Sequence, residues 1–154
     1  MQFVIEQRFV ELEKLVVAVQ ARGLDEQTTS YLCKLGSVLV CGNLEKCVEH
    51  LFIEKIGGKS QPRVTNFLKN HFRIGRNYDC DNILQLMFRF DSDWGRRFTK
   101  FVEENGRVKE GVSSCYAIRN SVAHGGGESV GPNALKQFYD ATLTLVAELE
   151  KIIR

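Results

Sequence analysis

A chain of 154 residues is the length of one ordinary domain, residues 1–154, long enough to bury a core without disulfide or metal staples. Charged residues make up 26% of it, yet the formal net charge is only +2, which excludes a basic tail for non-specific nucleic-acid binding and confines any RNA contact to a local site. Five cysteines, Cys33, Cys41, Cys47, Cys80 and Cys115, form no Cys-x-x-Cys pair; the odd set reads as reduced, buried thiols of a cytoplasmic protein, not as a zinc site or a disulfide framework.

The N-terminal segment carries Glu6, Arg8, Glu11, Glu13 and Lys14 inside its apolar pattern, which is incompatible with a signal-peptide core or a membrane span. Its spacing predicts a helix over about residues 2 to 22, with Phe9, Leu12, Val16 and Val19 on one face and Arg22-Gly23 as the stop. A second, long helix is predicted from the Asp25 to Ser30 region to Gly57-Gly58, carrying Leu35, Val38, Val48 and Phe52. The loop that follows contains Lys59-Ser60 after two glycines. A phosphate loop would also need a preceding strand and an earlier glycine, and that position is Ile53 within a helix, so the segment reads as a linker. A short helix then runs through Val64 to His71.

Residues 79 to 90 read as a helix with an acidic start, and Asp93 to Glu104 as another. Asp79, Asp81, Asp91 and Asp93 make a carboxylate cluster, but no histidine or glutamate joins it at ligand spacing, so caps and solvated turns explain it and no metal site is expected. The next helix spans about Arg107 to His124 and is stopped by Gly125-Gly126-Gly127. Pro132 opens the last one, with Leu135, Phe138, Tyr139, Leu145, Val146, Leu149, Ile152 and Ile153 in a clear apolar stripe. With two prolines, no internal repeat and no convincing strand, the prediction is an all-α bundle of about five to seven helices.

The chemistry concentrates at Arg119-Asn120-Ser121-Val122-Ala123-His124, at the end of the sixth predicted helix. An Arg-Asn-x-x-x-His match arises by chance in roughly one such chain in a hundred, and neither His50 nor His71 has an arginine five residues before it. His50 and His71 read as a helix-surface and a helix-end residue, and Ser113, Ser114 and Ser121 lack a hydrolase elbow around them. Val108, Val112, Cys115, Arg119 and Val122 fall at 4-3-4-3 spacing, so Arg119 stands where a core residue is expected. Its guanidinium needs either a buried carboxylate from a neighbouring helix or a cleft open to phosphate. Glu45, among the small or apolar neighbours Cys41, Gly42 and Val48, is the inward-facing candidate for such a carboxylate.

For RNA cleavage without metal, the 2′-hydroxyl must lose a proton, the phosphorane must be neutralised and the departing 5′-oxygen must be protonated. Arginine stabilises the phosphate charge, histidine carries the proton near neutral pH, and Asn120 orients either group without titrating. On one straight helix Arg119 and His124 point about 140° apart with a rise of about 7.5 Å between them, so a twofold dimer that pairs two such helices eases the geometry.

Arg119, Asn120 and His124, late in a short all-helical chain, resemble the Arg-polar-x-x-x-His signature of HEPN domains. The resemblance implies a helical bundle that commonly dimerises and, in many members, a metal-independent endoribonuclease acting as a prokaryotic toxin or antiviral effector, with no cofactor. It further implies catalytic roles for Arg119, Asn120 and His124, and an acidic supporting residue on an early helix, matched by Glu45 or Glu49. Toxins of this family controlled by a partner nucleotidyltransferase often carry a tyrosine two residues after the histidine, and Gly126 stands there instead. The expected partners are therefore RNA, a second copy of the chain and an antitoxin or defence-system protein, with no membrane. The alternative reading is a catalytically silent HEPN-like module that binds a nucleotide or a protein; a helical adaptor with an accidental motif is the third.

Overall fold

The computed structural model describes residues 3–21, 23–57 and 60–154. Among them the chain forms seven α-helices and no strand: α1 (Phe3–Gln20), α2 (Glu26–Phe52), α3 (Pro62–Arg73), α4 (Cys80–Phe90), α5 (Ser92–Glu104), α6 (Gly106–Ala123) and α7 (Pro132–Ile153). This is the all-α bundle expected, at the upper end of its helix number. The predicted stop at Arg22, the Gly58 end of the long helix and Lys59 of the glycine-rich linker lie outside the described residues.

Local chemistry sets the helix starts. Asp25 caps α2 by accepting from the Thr28 N–H at 2.8 Å, Asp79 caps α4 through the Asn82 N–H at 2.8 Å, and Asp91 caps α5 through the N–H groups of Asp93 at 2.7 Å and Trp94 at 3.3 Å. Pro62 and Pro132 occupy first-turn positions of α3 and α7, where a missing N–H costs nothing. The remaining two aspartates of the acidic cluster pair with cations, Asp81 with Lys109 at 2.7 Å and Asp93 with Arg96 at 3.4 Å. The cluster is thus accounted for by caps and surface ion pairs.

Helix α2 is the central element, in contact with α1, α6 and α7, while α6 also lies along α7 and the α4–α5 pair joins the bundle mainly through α5. The predicted stripes of α1 and α7 are all buried. On α2 the expectation is corrected. Val48 and Phe52 are buried, but Leu35 is 49% exposed and Val38 only half-buried; the inward face is Cys33, Ser37, Val40, Cys41, Leu44, Cys47, Val48 and Leu51. Small side chains let neighbouring helices approach, so the packed face of α2 includes Cys33, Gly36, Ser37 and Cys41 while Leu35 is left on its flank. The same economy operates between α6 and α7, where a Cβ on Gly111 would stand 2.8 Å from the Cβ of Ala141. Where α2 crosses α6, the Sγ atoms of Cys41 and Cys115 lie 3.5 Å apart, and all five cysteines are buried and free. After Phe52 the long helix widens into a π-helical turn, Ile53–Gly57. No helix among the described residues is long and apolar enough to cross a membrane.

Candidate active site

Helix α6 enters the bundle with Val112, Cys115 and Tyr116 buried and leaves it with Ile118 to Val122 half-buried and His124 exposed. Arg119 therefore lies at the rim of the apolar stripe instead of in the core. The helix ends in a Schellman motif: Gly125 takes φ +72°, its N–H donates to Val122 O at 3.2 Å, and the Gly126 N–H donates to Ser121 O at 2.7 Å. Gly125 permits the left-handed turn without strain, and the two bonds fix His124 as the C-cap just past the last helical residue, Ala123.

The Arg119 guanidinium donates through Nη1 to Asn120 Oδ1 at 3.1 Å and to Asn77 Oδ1 at 3.4 Å. It makes no direct ion pair among the described residues, so neutral amides orient it and the rest of its fork forms no hydrogen bond there. Glu45 faces it from α2 without a direct bond. Burial pushes the Glu45 carboxyl above the usual carboxylate range, while Arg119 and then Lys46 pull it back down. The direct Arg119–Glu45 pair considered from the sequence is replaced by this longer electrostatic coupling. Glu49, one turn further on, is engaged by Lys46 at 2.7 Å.

Three residues that sequence reasoning missed complete the surroundings. The Tyr116 hydroxyl accepts the buried backbone N–H of Tyr78 at 2.9 Å, which pins the non-helical segment 74–79 against α6 and brings Asn77 to Arg119. Burial raises the Tyr116 phenol well above its ordinary value. Tyr78 packs its ring at 6.2 Å from Phe72, and its buried hydroxyl has no hydrogen-bond partner among the described residues. Its phenol is pushed up by burial, pulled down by Arg76 and pushed up again by Glu45 and Glu49, which places both carboxylates near this side of the site. Tyr116, three residues before Arg119 on the same helix face, was within reach of a sequence argument. Asn77 was not, since it lies in a segment without periodicity and 42 residues away in sequence.

One chain therefore gathers Arg119, Asn120, Asn77 and, at longer range, Glu45. It does not gather His124, whose exposed side chain makes no hydrogen bond to Arg119 or Asn120. The RiboL-PSP-HEPN family model matches residues 4–154. The chain belongs to the RiboL-PSP-HEPN family. No curated protein and no solved structure matches it.

In this RiboL-PSP-HEPN chain the position two after the motif histidine, Gly126, lies close against Ser121. A Cβ on Gly126 would stand 2.1 Å from Ser121 Oγ and 3.0 Å from Ser121 O, so a side chain there would require the Ser121 hydroxyl to rotate away and the turn to give slightly. Chemically, the arrangement offers an oriented cationic fork for an oxyanion and, one turn along, a solvent-facing imidazole able to exchange protons.

Proposed function

We propose that this HEPN chain is a metal-independent endoribonuclease whose site is completed when two copies pair along α6. The observation that carries the reading is the state of Arg119: half-buried, aligned by two amide oxygens and free of any carboxylate ion pair among the described residues. A guanidinium kept charged and directional in this way suits a phosphodiester better than it suits a structural role, for which a partner carboxylate would be expected.

In the proposed reaction the 2′-oxygen attacks phosphorus, its proton passes to a His124 imidazole, and the bond from phosphorus to the 5′-oxygen breaks as that oxygen takes a proton. The products are a 2′,3′-cyclic phosphate and a 5′-hydroxyl. Arg119 holds the charge that develops on the non-bridging oxygens, Asn120 and Asn77 keep its fork aimed, and Glu45 tunes the local field. Two antiparallel copies of α6 supply two arginines and two histidines to one cleft, so one imidazole takes a proton while the other delivers one. The toxin and defence members of the family supply the setting: cellular RNA as substrate, in the cytoplasm, and a partner protein that restrains the enzyme.

Purified protein should cut single-stranded RNA in the presence of EDTA and leave 2′,3′-cyclic phosphate ends, read by end-group analysis of the fragments. Strict dependence on added magnesium or manganese would overturn the mechanism.

A further inference from the structure

Asn77 has a second neighbourhood. Beside it opens a cavity of about 330 Å³, lined by His71 from the last turn of α3, Arg76 and Asn77 from the connecting segment, and Asn82, Gln85 and Arg89 from α4. The last three recur at intervals of three and four residues, so α4 turns a polar face toward the space, with the buried Leu86 and the Tyr78 ring at its floor. The volume is near the lower limit of small-molecule sites, suited to one nucleotide and too small for a folded partner.

The lining has a consistent chemistry. No carboxylate borders the cavity. Arg76 and Arg89, both exposed, form no ion pair among the described residues, and the exposed side-chain amides of Asn82 and Gln85 form no hydrogen bond there, so all four are open to a ligand from solvent. The His71 ring lies offset and roughly parallel to Phe67, at 6.3 Å between centroids and 28° between planes, and edge-on to Phe72 at 5.5 Å. Uncompensated guanidiniums attract a phosphate. Amides that both donate and accept match the Watson–Crick or Hoogsteen edge of an unstacked base, and a braced imidazole offers it a face. Asn77 lines the cavity and also accepts from Arg119, so an occupant here is adjacent to whatever Arg119 holds.

We propose that this cavity is a nucleotide subsite that takes one unpaired nucleotide of the RNA next to the phosphate at Arg119. Arg76 and Arg89 contact the flanking backbone phosphate, Asn82 and Gln85 read the base edge, and Asn77 couples the subsite to the guanidinium. The inference rests on the reading of Arg119 as a phosphate clamp. It gives the enzyme base preference at one position, away from the reacting atoms.

The test is a titration of the full-length ¹⁵N-labelled protein with each of the four ribonucleoside 5′-monophosphates and with inorganic phosphate, following the side-chain amide signals of Asn82 and Gln85. The expected result is a saturable shift of both signals by at least one nucleotide, at a concentration about tenfold below that needed with phosphate, and about tenfold weaker binding in Arg89→Ala. Absence of any nucleotide-induced shift at these amides overturns the subsite, as does equal response to phosphate alone. Cleavage reports the other half separately. A protein that cuts RNA with the same KM and the same cut positions in Gln85→Ala and Arg89→Ala keeps the nuclease reading and loses the subsite; one that binds nucleotide here yet cuts nothing keeps the subsite and loses the nuclease.

Discussion

The middle and the C-terminal end of α6 follow different rules. In its middle turns Val112, Cys115 and Tyr116 are buried against α2 and α7, and Gly111 lets α7 approach to contact distance. In its last turns Arg119 and Asn120 are half-buried, their amide and guanidinium groups tied to each other and to Asn77, and His124 is open to solvent. The first region stabilises the bundle by burial, and the second keeps a charge in a place where stability alone would put an aliphatic side chain. Mutations in the two regions should therefore separate loss of fold from loss of reaction.

The widest separation is between His124→Ala and Val112→Ala. His124→Ala should lower single-turnover RNA cleavage by about 10³-fold, within the span for loss of a general acid or base, and move the melting temperature by no more than about 1 °C. Val112→Ala should do the reverse: a loss of roughly 1–2 kcal/mol and several degrees of melting temperature, with cleavage per folded molecule unchanged. Equal effects of the two on both readouts would erase the distinction.

Tyr116 stands at the junction and should show a mixed response. Tyr116→Phe keeps the ring but leaves the buried Tyr78 N–H without its acceptor, costing about 1–2 kcal/mol, and it frees the segment that presents Asn77, so cleavage should also fall by roughly tenfold. A drop in melting temperature with cleavage intact would mean that Asn77 does not align Arg119.

The smallest expected effect is at Glu45. Because burial raises its carboxyl, the folded state holds the proton more tightly than the unfolded chain, so Glu45 favours folding at low pH and that contribution is lost as pH rises through its folded value. Glu45→Gln should therefore raise the melting temperature slightly at neutral pH, on the order of 1 °C, with the gain vanishing below the ordinary carboxylate range. Thermal melts of both proteins across pH 4 to 8 measure it; a gain that grows as pH falls would contradict the assignment.

Much of this architecture is legible in the sequence because its signals are local. Asp25, Asp79 and Asp91 announce helix starts, Gly125 announces a stop, and the stripes of α1 and α7 repeat at helical spacing. The inner face of α2 misleads because close packing selects Cys33, Gly36, Ser37 and Cys41 over Leu35, and volume fit is not written in hydrophobicity. In the site, Arg119, Asn120 and His124 are readable as a motif on one helix. Asn77 and the Tyr116–Tyr78 bond are not, since they depend on how a non-helical segment meets α6 across the fold.

Arg119 decides the account most directly, through Arg119→Lys measured for thermal unfolding and single-turnover cleavage on the same preparation. Lysine keeps the charge and loses the fork, so a phosphate clamp predicts an unchanged melting temperature with cleavage reduced by about 10²-fold. A lowered melting temperature with cleavage per folded molecule retained would contradict the clamp and leave Arg119 as a structural residue.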